Sequence, residues 1–180
     1  MNDKALSKFL SLVLRHEPER LGLRLDSAGW IGVDELLAAC VGDQVLLTRV
    51  RLEQIVVSSE KQRFAFNETK TRIRANQGHS VKVDLGYVPQ PPPELLYHGT
   101  VEIFLASIRE RGLLKGERHH VHLSGDKATA WQVGSRRGSP IILAVKAGAM
   151  HRAGHQFFRS ANGVWLVEQV PVSDLEFPAD

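Results

Sequence analysis

Residues 87–93 read YVPQPPP, with four prolines among seven residues. Proline cannot continue a helix or lie in a central strand, and proline-rich runs form stiff, extended spacers. This stretch therefore predicts a linker between two small domains, one over residues 1–86 and the other over residues 94–180. A chain of 180 residues is long enough for both.

The composition is that of an ordinary globular protein, with 43% hydrophobic and 24% charged residues. These values exclude a disordered chain, a collagen-like fibre and a coiled coil. The sequence has neither an apolar run long enough to span a membrane nor a signal-peptide cleavage site, so we expect a cytoplasmic protein with no membrane partner. The single cysteine, Cys40, excludes an internal disulfide and is expected in the core of a protein from a reducing compartment. The net charge of +3 permits an anionic partner without requiring one.

The sequence before the proline-rich stretch predicts three helices followed by a β-hairpin. Apolar residues repeat at helical spacing over residues 6–14, and Pro18 is expected to end this first helix. Asp34 and Thr48 are expected to cap the second and third helices. Two short strands, RFAF and TRIRA, flank a polar turn at residues 67–70. Three helices followed by a two-stranded hairpin are typical of a winged-helix domain, which often binds nucleic acid.

After the proline-rich stretch, short strands alternate with helices and the chain ends in strands. LLYH, residues 95–98, is expected to be a strand that stops at Gly99-Thr100. The Asn-Gly pair within residues 160–163 predicts a hairpin between two late strands. Trp131 and Trp165 are expected in the core. This pattern indicates an α+β protein with a mostly antiparallel sheet.

The most unusual segment before the proline-rich stretch is RIRANQGHS, residues 72–80. Strand alternation places its two arginines and its asparagine on one face, and this donor set suits a phosphate group. Gly78 permits a turn that brings His79 and Ser80 near the same face. The alternative interpretation is a solvated face of the hairpin.

Two short motifs supply further candidates, each with a structural alternative. Arg15 and His16 follow the apolar face of the first helix, where they form either an anion site or a solvated helix end. In YHGT, Gly99 permits close approach of the backbone to a flat ligand, and His98 offers a ring donor or acceptor near neutral pH. The alternative for this motif is a turn with a satisfied histidine.

Two segments of the second half are rich in histidine and arginine. RHHVHLS, residues 118–124, contains three histidines, but no acidic or cysteine partner is spaced to complete a metal site. We therefore expect no metal, and we favour Arg118 as an anion-binding residue. GSRRG, residues 134–138, is either a basic turn or a loop whose backbone N–H groups face a phosphate.

Taken together, these segments resemble one family, the NAD-dependent RNA 2′-phosphotransferases, also called tRNA 2′-phosphotransferases. The matching stretches come in the family's order and span nearly the whole chain: LSKFLSLVLRH, GW with DELL, RIRANQGHS, LYHGT, RHHVHLS, AWQVGSRRG with PIIL, and FFRSANGVWLVEQVP. The resemblance implies a winged-helix lobe joined to an ADP-ribosyltransferase-like lobe. It also implies RNA with an internal 2′-phosphate and NAD as partners, a role in RNA repair such as tRNA splicing, no metal and no obligate protein partner.

The reaction that this resemblance implies has two steps. In the first, the RNA 2′-phosphate attacks C1″ of the NAD ribose and expels nicotinamide. In the second, the neighbouring ribose O2″ attacks the phosphorus. The RNA leaves with a free 2′-OH, and the other product is ADP-ribose 1″–2″ cyclic phosphate.

The resemblance also implies roles for individual residues. The residues that match the family's catalytic set around the transferred phosphate are Arg15, His16, Arg74 and Arg118. The residues that match positions near the phosphate or RNA are Gln77, His79 and Ser80. The residues that match the NAD pocket are His98, Gly99, Thr100, Ser124, Gly134 and Arg137. The resemblance does not choose between Arg136 and Arg137 as an NAD contact, and it gives Glu168 no catalytic role.

Two other functions are compatible with the sequence. In one, the same second lobe transfers ADP-ribose to a terminal RNA or DNA phosphate and stops there. In the other, the chain is a winged-helix binding module without catalytic activity that senses NAD.

Overall fold

The computed structural model describes residues 1–59 and 61–178, with the backbone but not the side chain of Arg137. Its contacts divide the chain into a first compact unit, Met1–Gly86, and a second unit that begins at Tyr87. Each unit has its own cluster of buried apolar residues. In the described part of the chain, no helix has both the length and the apolar character needed to cross a membrane.

The first unit contains three α-helices and one small sheet. Its helices are α1 (Asp3–Val13), α2 (Val33–Gly42) and α3 (Arg49–Val57), with a 3-10 helix at Pro18–Leu21. Its strands are β1 (Ile31–Gly32), β2 (Phe64–Phe66) and β3 (Arg72–Ala75), which pair antiparallel in the order β1-β3-β2. The three predicted helices and the predicted hairpin are therefore confirmed. Cys40 is fully buried, as predicted.

Two predicted helix boundaries in this unit are wrong. Helix α1 ends at Val13 rather than at Pro18, because the N–H groups of His16 and Glu17 both turn back to the Leu12 carbonyl. Pro18 instead begins the 3-10 helix, where its missing N–H costs nothing.

The cap of the second helix also differs from the prediction, whereas that of the third does not. Strand β1 leads directly into α2, so Gly32 is the N-cap and Asp34 lies in the first turn, where the helix dipole favours its charge. The Thr48 side chain accepts a hydrogen bond from the Arg51 N–H (3.3 Å), as predicted for the cap of α3.

The second unit contains three α-helices and eight short strands among its described residues. Its helices are α4 (Leu105–Arg111), α5 (Lys127–Gly134) and α6 (Ala147–Arg152), with 3-10 helices at Glu102–Phe104, Ser135–Arg137 and Val172–Asp174. Its strands are β4 (Leu96–Thr100), β5 (Leu113–Leu114), β6 (Val121–Leu123), β7 (Ile141–Val145), β8 (Phe157–Arg159), β9 (Trp165–Val167), β10 (Gln169–Val170) and β11 (Leu175–Glu176).

The strands of the second unit form three small sheets, in the orders β11-β7-β4, β6-β9-β8 and β10-β5. Every strand pair in the described chain is antiparallel, so the α+β class with antiparallel sheets is confirmed. The proline-rich segment belongs to this unit and packs along β8, because the Gln90 N–H donates to the Phe157 carbonyl (2.8 Å).

Two predictions about the second unit are wrong, and both errors arise where α5 meets β4. Strand β4 does not end at His98, before the predicted stop at Gly99-Thr100, but includes both of these residues, which pair with β7. Helix α5 buries Ala130 and Gly134, one turn apart, so Trp131 points away and is 54% exposed rather than in the core. Trp165 is buried, as predicted.

Candidate functional site

Arg74 lies on β3, and its guanidinium packs over an aromatic ring of the first unit. The Arg74 guanidinium carbon is 4.5 Å from the centre of the Trp30 ring, and Nη1 donates to the Ala28 carbonyl (3.4 Å). Its Nε is buried and has no hydrogen-bond acceptor among the described residues. A buried charged donor without an acceptor is costly, so an anion that reaches this N–H would be bound favourably.

Trp30 is held in place by the carboxylate of Asp26. Asp26 accepts hydrogen bonds from the Ala28 N–H (2.9 Å) and the Trp30 N–H (2.8 Å), and it pairs with Arg72 (2.8 Å). Partial burial opposes the charge of Asp26, but these three hydrogen bonds outweigh it and lower the pKa of the carboxyl group. The sequence analysis did not identify Trp30 or Asp26 as supports of Arg74. Asp26 could have been found from its position two residues before Ala28, because an aspartate often accepts a hydrogen bond from the backbone N–H two residues on, in an Asx-turn.

Arg15 lies just after the C-terminus of α1, beside the hairpin of β2 and β3. Its Nη2 donates to the Arg63 carbonyl (3.4 Å), and its guanidinium carbon is 6.0 Å from the centre of the Phe64 ring. The Arg15 carbonyl accepts hydrogen bonds from the Ser80 N–H (2.9 Å) and the Val81 N–H (3.3 Å). The end of α1 and the segment that follows β3 are therefore fastened together at Arg15.

His16 contacts the same segment through its side chain. Its Nδ1 lies 2.9 Å from the Ser80 hydroxyl oxygen, so this hydrogen bond fixes the orientation of the imidazole. The structure thus brings Ser80 to the adjacent pair Arg15 and His16, although 64 positions separate His16 from Ser80 in the sequence.

The other candidates of the RIRANQGHS segment are arranged differently from the predicted single face. Arg72 is paired with Asp26, while Asn76 is buried after the end of β3 and donates to the Gln62 carbonyl (2.5 Å). His79 is only 1% exposed and its ring lies against Gly29, so it is part of the interior beside Trp30. Gln77 is half-buried. The predicted alternation holds within β3 itself and fails at Asn76, because the strand ends at Ala75; the chain then turns at Gly78 with φ +85°.

In the second unit, His98 lies in the middle of β4. Its Nδ1 is 3.1 Å from the His122 carbonyl, which holds the ring against β6. Burial lowers the pKa of His98, the hydrogen bond to His122 opposes that shift, and the positive charge of Arg118 adds to it. His98 is therefore a neutral imidazole near pH 7, and Arg118 lies within electrostatic reach of it.

Two further candidate residues, Ser124 and Arg118, lie near the His98 motif. Ser124 pairs with Tyr97 through two backbone hydrogen bonds of 2.8 and 2.9 Å, so it lies beside the start of the His98 motif. The Lys127 ammonium lies 5.7 Å from the centre of the Tyr97 ring. Arg118 is exposed in the loop before β6. Adjacent side chains of a strand point to opposite faces, so Lys127 lies on the Tyr97 side of β4, whereas the His98 imidazole lies on the other side, with Arg118 within electrostatic reach.

The remaining NAD-pocket candidates have mainly structural surroundings. Gly99 and Gly134 lie where α5 crosses β4, and Thr100 is buried at the end of that strand. Arg136 is exposed, whereas the side chain of Arg137 lies outside the described part of the structure. Among the histidines of residues 118–124, His120 packs against Phe158 at 5.4 Å. No three His, Cys, Asp or Glu side chains of the described chain are grouped to hold a metal ion.

Comparisons with known proteins identify the family. The structure is that of an α+β protein whose candidate functional residues, in each of its two units, include arginine and histidine. The model of the RNA 2′-phosphotransferase family (Tpt1/KptA) matches residues 1–169. The chain belongs to this family of enzymes.

Proteins named as probable RNA 2′-phosphotransferases are similar to the chain over almost its full length. One from Nostoc punctiforme is 54% identical over 171 residues, which cover 95% of this chain and 94% of the relative. One from Flavobacterium johnsoniae is 53% identical, covering 97% of this chain and 96% of the relative. One from Streptomyces griseus is 51% identical, covering 92% of each.

Proposed function

We propose that this chain removes an internal RNA 2′-phosphate by the two-step, NAD-consuming reaction described above, leaving 2′-OH RNA and ADP-ribose 1″–2″ cyclic phosphate. The observation that carries the proposal is the group formed by Arg15, His16 and Ser80 beside the hairpin that bears Arg74. Membership of the RNA 2′-phosphotransferase family supports the same assignment.

The proposed role of the arginines is to bind the transferred phosphate. A phosphomonoester carries a charge of about −1.5 to −2 at neutral pH, and guanidinium groups bind it through paired N–H donors. The buried Arg74 Nε would gain the acceptor that it lacks within the described chain. As the RNA oxygen departs, negative charge develops on it and on the phosphoryl oxygens, and cations already in place stabilise that charge with little reorganisation. We assign Arg15, Arg74 and Arg118 to this role.

We propose that His16 acts at the same phosphate. Its hydrogen bond to Ser80 orients the imidazole, as a proton donor or a phosphate ligand requires. Either it protonates the departing 2′-oxygen of the RNA or it only binds the phosphate. Loss of the basic limb of the kcat profile in His16→Gln would favour the first role, and an unchanged profile with a raised KM for RNA the second. Gln77, His79 and Ser80 are proposed to support the phosphate and the adjacent RNA.

The donor set around His98 fits NAD. A dinucleotide carries two negative phosphates and a flat aromatic base. The surroundings of His98 offer the Arg118 cation and a neutral imidazole, and Ser124, which pairs with the neighbouring Tyr97, adds a hydroxyl group. When bound, NAD supplies the ribose carbon that accepts the phosphate and the nicotinamide that leaves. The residues that would hold it are His98, Gly99, Thr100, Ser124, Gly134 and Arg137.

The proposal extends to the architecture and setting of the chain. We propose that residues 1–86 are a winged-helix lobe that binds RNA and that residues 94–180 are an ADP-ribosyltransferase-like lobe, with residues 87–93 between them. The three helices and hairpin of the first unit support the former assignment. The enzyme would work in the cytoplasm on RNA repair or tRNA splicing products, without a metal or an obligate protein partner.

A single incubation tests the proposed function. The protein is mixed with a short RNA that bears one internal 2′-phosphate, with and without NAD, and the products are separated by mass and chromatography. We expect NAD-dependent loss of the phosphate together with ADP-ribose 1″–2″ cyclic phosphate. RNA that gains ADP-ribose and keeps it would instead identify a transferase that stops after the first step. NAD that binds and is not consumed over hours would identify a binding module.

A further inference from the structure

A six-residue loop, residues 115–120, carries Arg118 in the second unit. The loop leaves strand β5 after Leu114 and enters strand β6 at Val121. Leu114 pairs with Gln169, and Val121 pairs with Val167. Both ends of the loop are therefore fastened to the same stretch of chain, and Glu168 is the single residue between the two attachment points.

The Glu168 carboxylate contacts the first residue of this loop. Its Oε1 lies 2.5 Å from the Lys115 ammonium, so the two groups form an ion pair. The Lys115 carbonyl in turn accepts a hydrogen bond from the Arg118 N–H (3.2 Å). Two contacts therefore connect the Glu168 carboxylate to the backbone of Arg118.

The last residue of the loop also lies within reach of Glu168. Burial lowers the pKa of His120, and the positive charges of His119 and Lys115 lower it further. The negative charge of Glu168 acts in the opposite direction and raises this pKa. The hydrogen bond from Lys115 lowers the pKa of Glu168. Burial raises this pKa, but the charges of Lys115 and His120 lower it further. Glu168 thus interacts with both ends of the loop, Lys115 at one side and His120 at the other.

We propose that Glu168 is a positioning residue that joins the two ends of the 115–120 loop and so holds Arg118 for phosphate binding. The part that concerns phosphate rests on the proposed function. The loop contains Gly116, whose φ is +60°, and Glu117 and Arg118 are exposed, so the contacts at its two ends help to restrict it. A charge placed poorly by about 1 Å loses much of its effect on a transition state.

Replacing Glu168 with glutamine tests this role, because the change keeps the shape and removes the charge. We expect Glu168→Gln to lower kcat/KM for the 2′-phosphorylated RNA about fivefold, which corresponds to about 1 kcal/mol for one exposed ion pair. The melting temperature and the KM for NAD are expected to stay unchanged. The matched control is Glu176→Gln, which breaks the Lys146–Glu176 pair (3.9 Å) of the same unit away from the loop and should leave kcat/KM unchanged.

Charge reversal separates positioning from a general structural effect. We expect Lys115→Glu to lower kcat/KM like Glu168→Gln, and the double variant Lys115→Glu, Glu168→Lys to recover at least half of the loss. A double variant no better than either single variant, or a Glu168→Gln enzyme with wild-type kcat/KM, would overturn the proposal.

A measurement without catalysis separates this inference from the proposed function. Titration of His120 by NMR should show a lower pKa in Glu168→Gln than in the wild type, because the opposing negative charge is gone. An unchanged His120 pKa would overturn the placement of Glu168 between the loop ends. A wild-type protein that is inactive on 2′-phosphorylated RNA would overturn the proposed function and, with it, the role of the loop in phosphate binding. The His120 titration would still test whether Glu168 joins the two ends of the 115–120 loop.

Discussion

Gly99 of β4 and Gly134 of α5 lie directly against each other, because neither has a side chain to keep the helix away from the strand. A Cβ at Gly134 would lie 3.2 Å from the Gly99 carbonyl carbon and 2.9 Å from Pro140 Cβ. A Cβ at Gly99 would overlap the Ala130 carbonyl oxygen. Both glycines match the family's NAD pocket, and the structure shows that both also determine how closely α5 packs on the strand that bears His98.

Gly99→Ala is therefore expected to destabilise the protein by about 3 kcal/mol, because the added methyl group meets backbone that cannot move aside. Urea unfolding of the purified variant measures the loss. The control is Gly125→Ala in the same unit, where nothing lies within 4 Å of the added Cβ. Equal stability of both variants would show that α5 does not pack on β4 in this way.

Trp30→Leu tests the support of Arg74. A cation over an aromatic face contributes about 0.5–2 kcal/mol, so we expect the KM for 2′-phosphorylated RNA to rise about fivefold while the KM for NAD stays constant. The matched control is Phe177→Leu, which removes an equally close pair (Arg109, 4.5 Å) in the second unit. Steady-state kinetics with each substrate varied in turn would make this comparison, and a rise confined to NAD would contradict it.

The elements of the fold were predictable where local chemistry decides them. Thr48 caps α3 as a threonine before an apolar repeat should, and the Asn-Gly pair of residues 160–163 marks the turn between β8 and β9. Trp131 and the extent of β4 were not predictable, because both depend on the contact of α5 with Gly99. Such a contact joins distant parts of the sequence and leaves no periodic signal.

For the candidate site, the resemblance identified residues but not their supports. Arg15 and His16 were named from a short motif, whereas their attachment to Ser80 is visible only in the structure. The same holds for Trp30 beneath Arg74 and for Glu168 beside Lys115. The sequence alone favoured Arg118 as an anion-binding residue over a metal site, but it did not show what each neighbouring histidine ring contacts, because alternation assigns a face and not a partner.

Arg118→Ala is expected to keep the fold and to lose about 100-fold in kcat/KM. The side chain is exposed and contributes little packing, while two charge-assisted hydrogen bonds to a phosphate are together worth about 3 kcal/mol or more. Arg111→Ala is the control, because Arg111 is also exposed and contacts only Ser107 of its own helix among the described contacts. An active and normally folded Arg118→Ala enzyme would contradict the assignment of Arg118.

The buried thiol of Cys40 is expected to be inert in the native protein. Burial raises the pKa of Cys40 to about 11, and the neighbouring Asp43 charge adds to the rise, so almost no thiolate exists at neutral pH. A disulfide reagent such as dithionitrobenzoate should therefore react with one thiol in urea and with none in buffer. Rapid reaction of the folded protein would show that Cys40 is accessible.

His98 should make the stability of the protein depend on pH in a predictable direction. Its pKa is lowered in the folded state, so below about 6.5, the ordinary value for histidine, the unfolded chain binds more protons than the folded one. The contribution of His98 is therefore fully present above pH 6.5 and is lost as the pH falls toward the folded-state pKa. The free energy of unfolding should decline over this window more steeply in the wild type than in His98→Gln. NMR titration provides the control: Arg118→Ala should raise the pKa of His98, because it removes a positive charge that opposes protonation, and an unchanged value would show that Arg118 lies out of reach of His98.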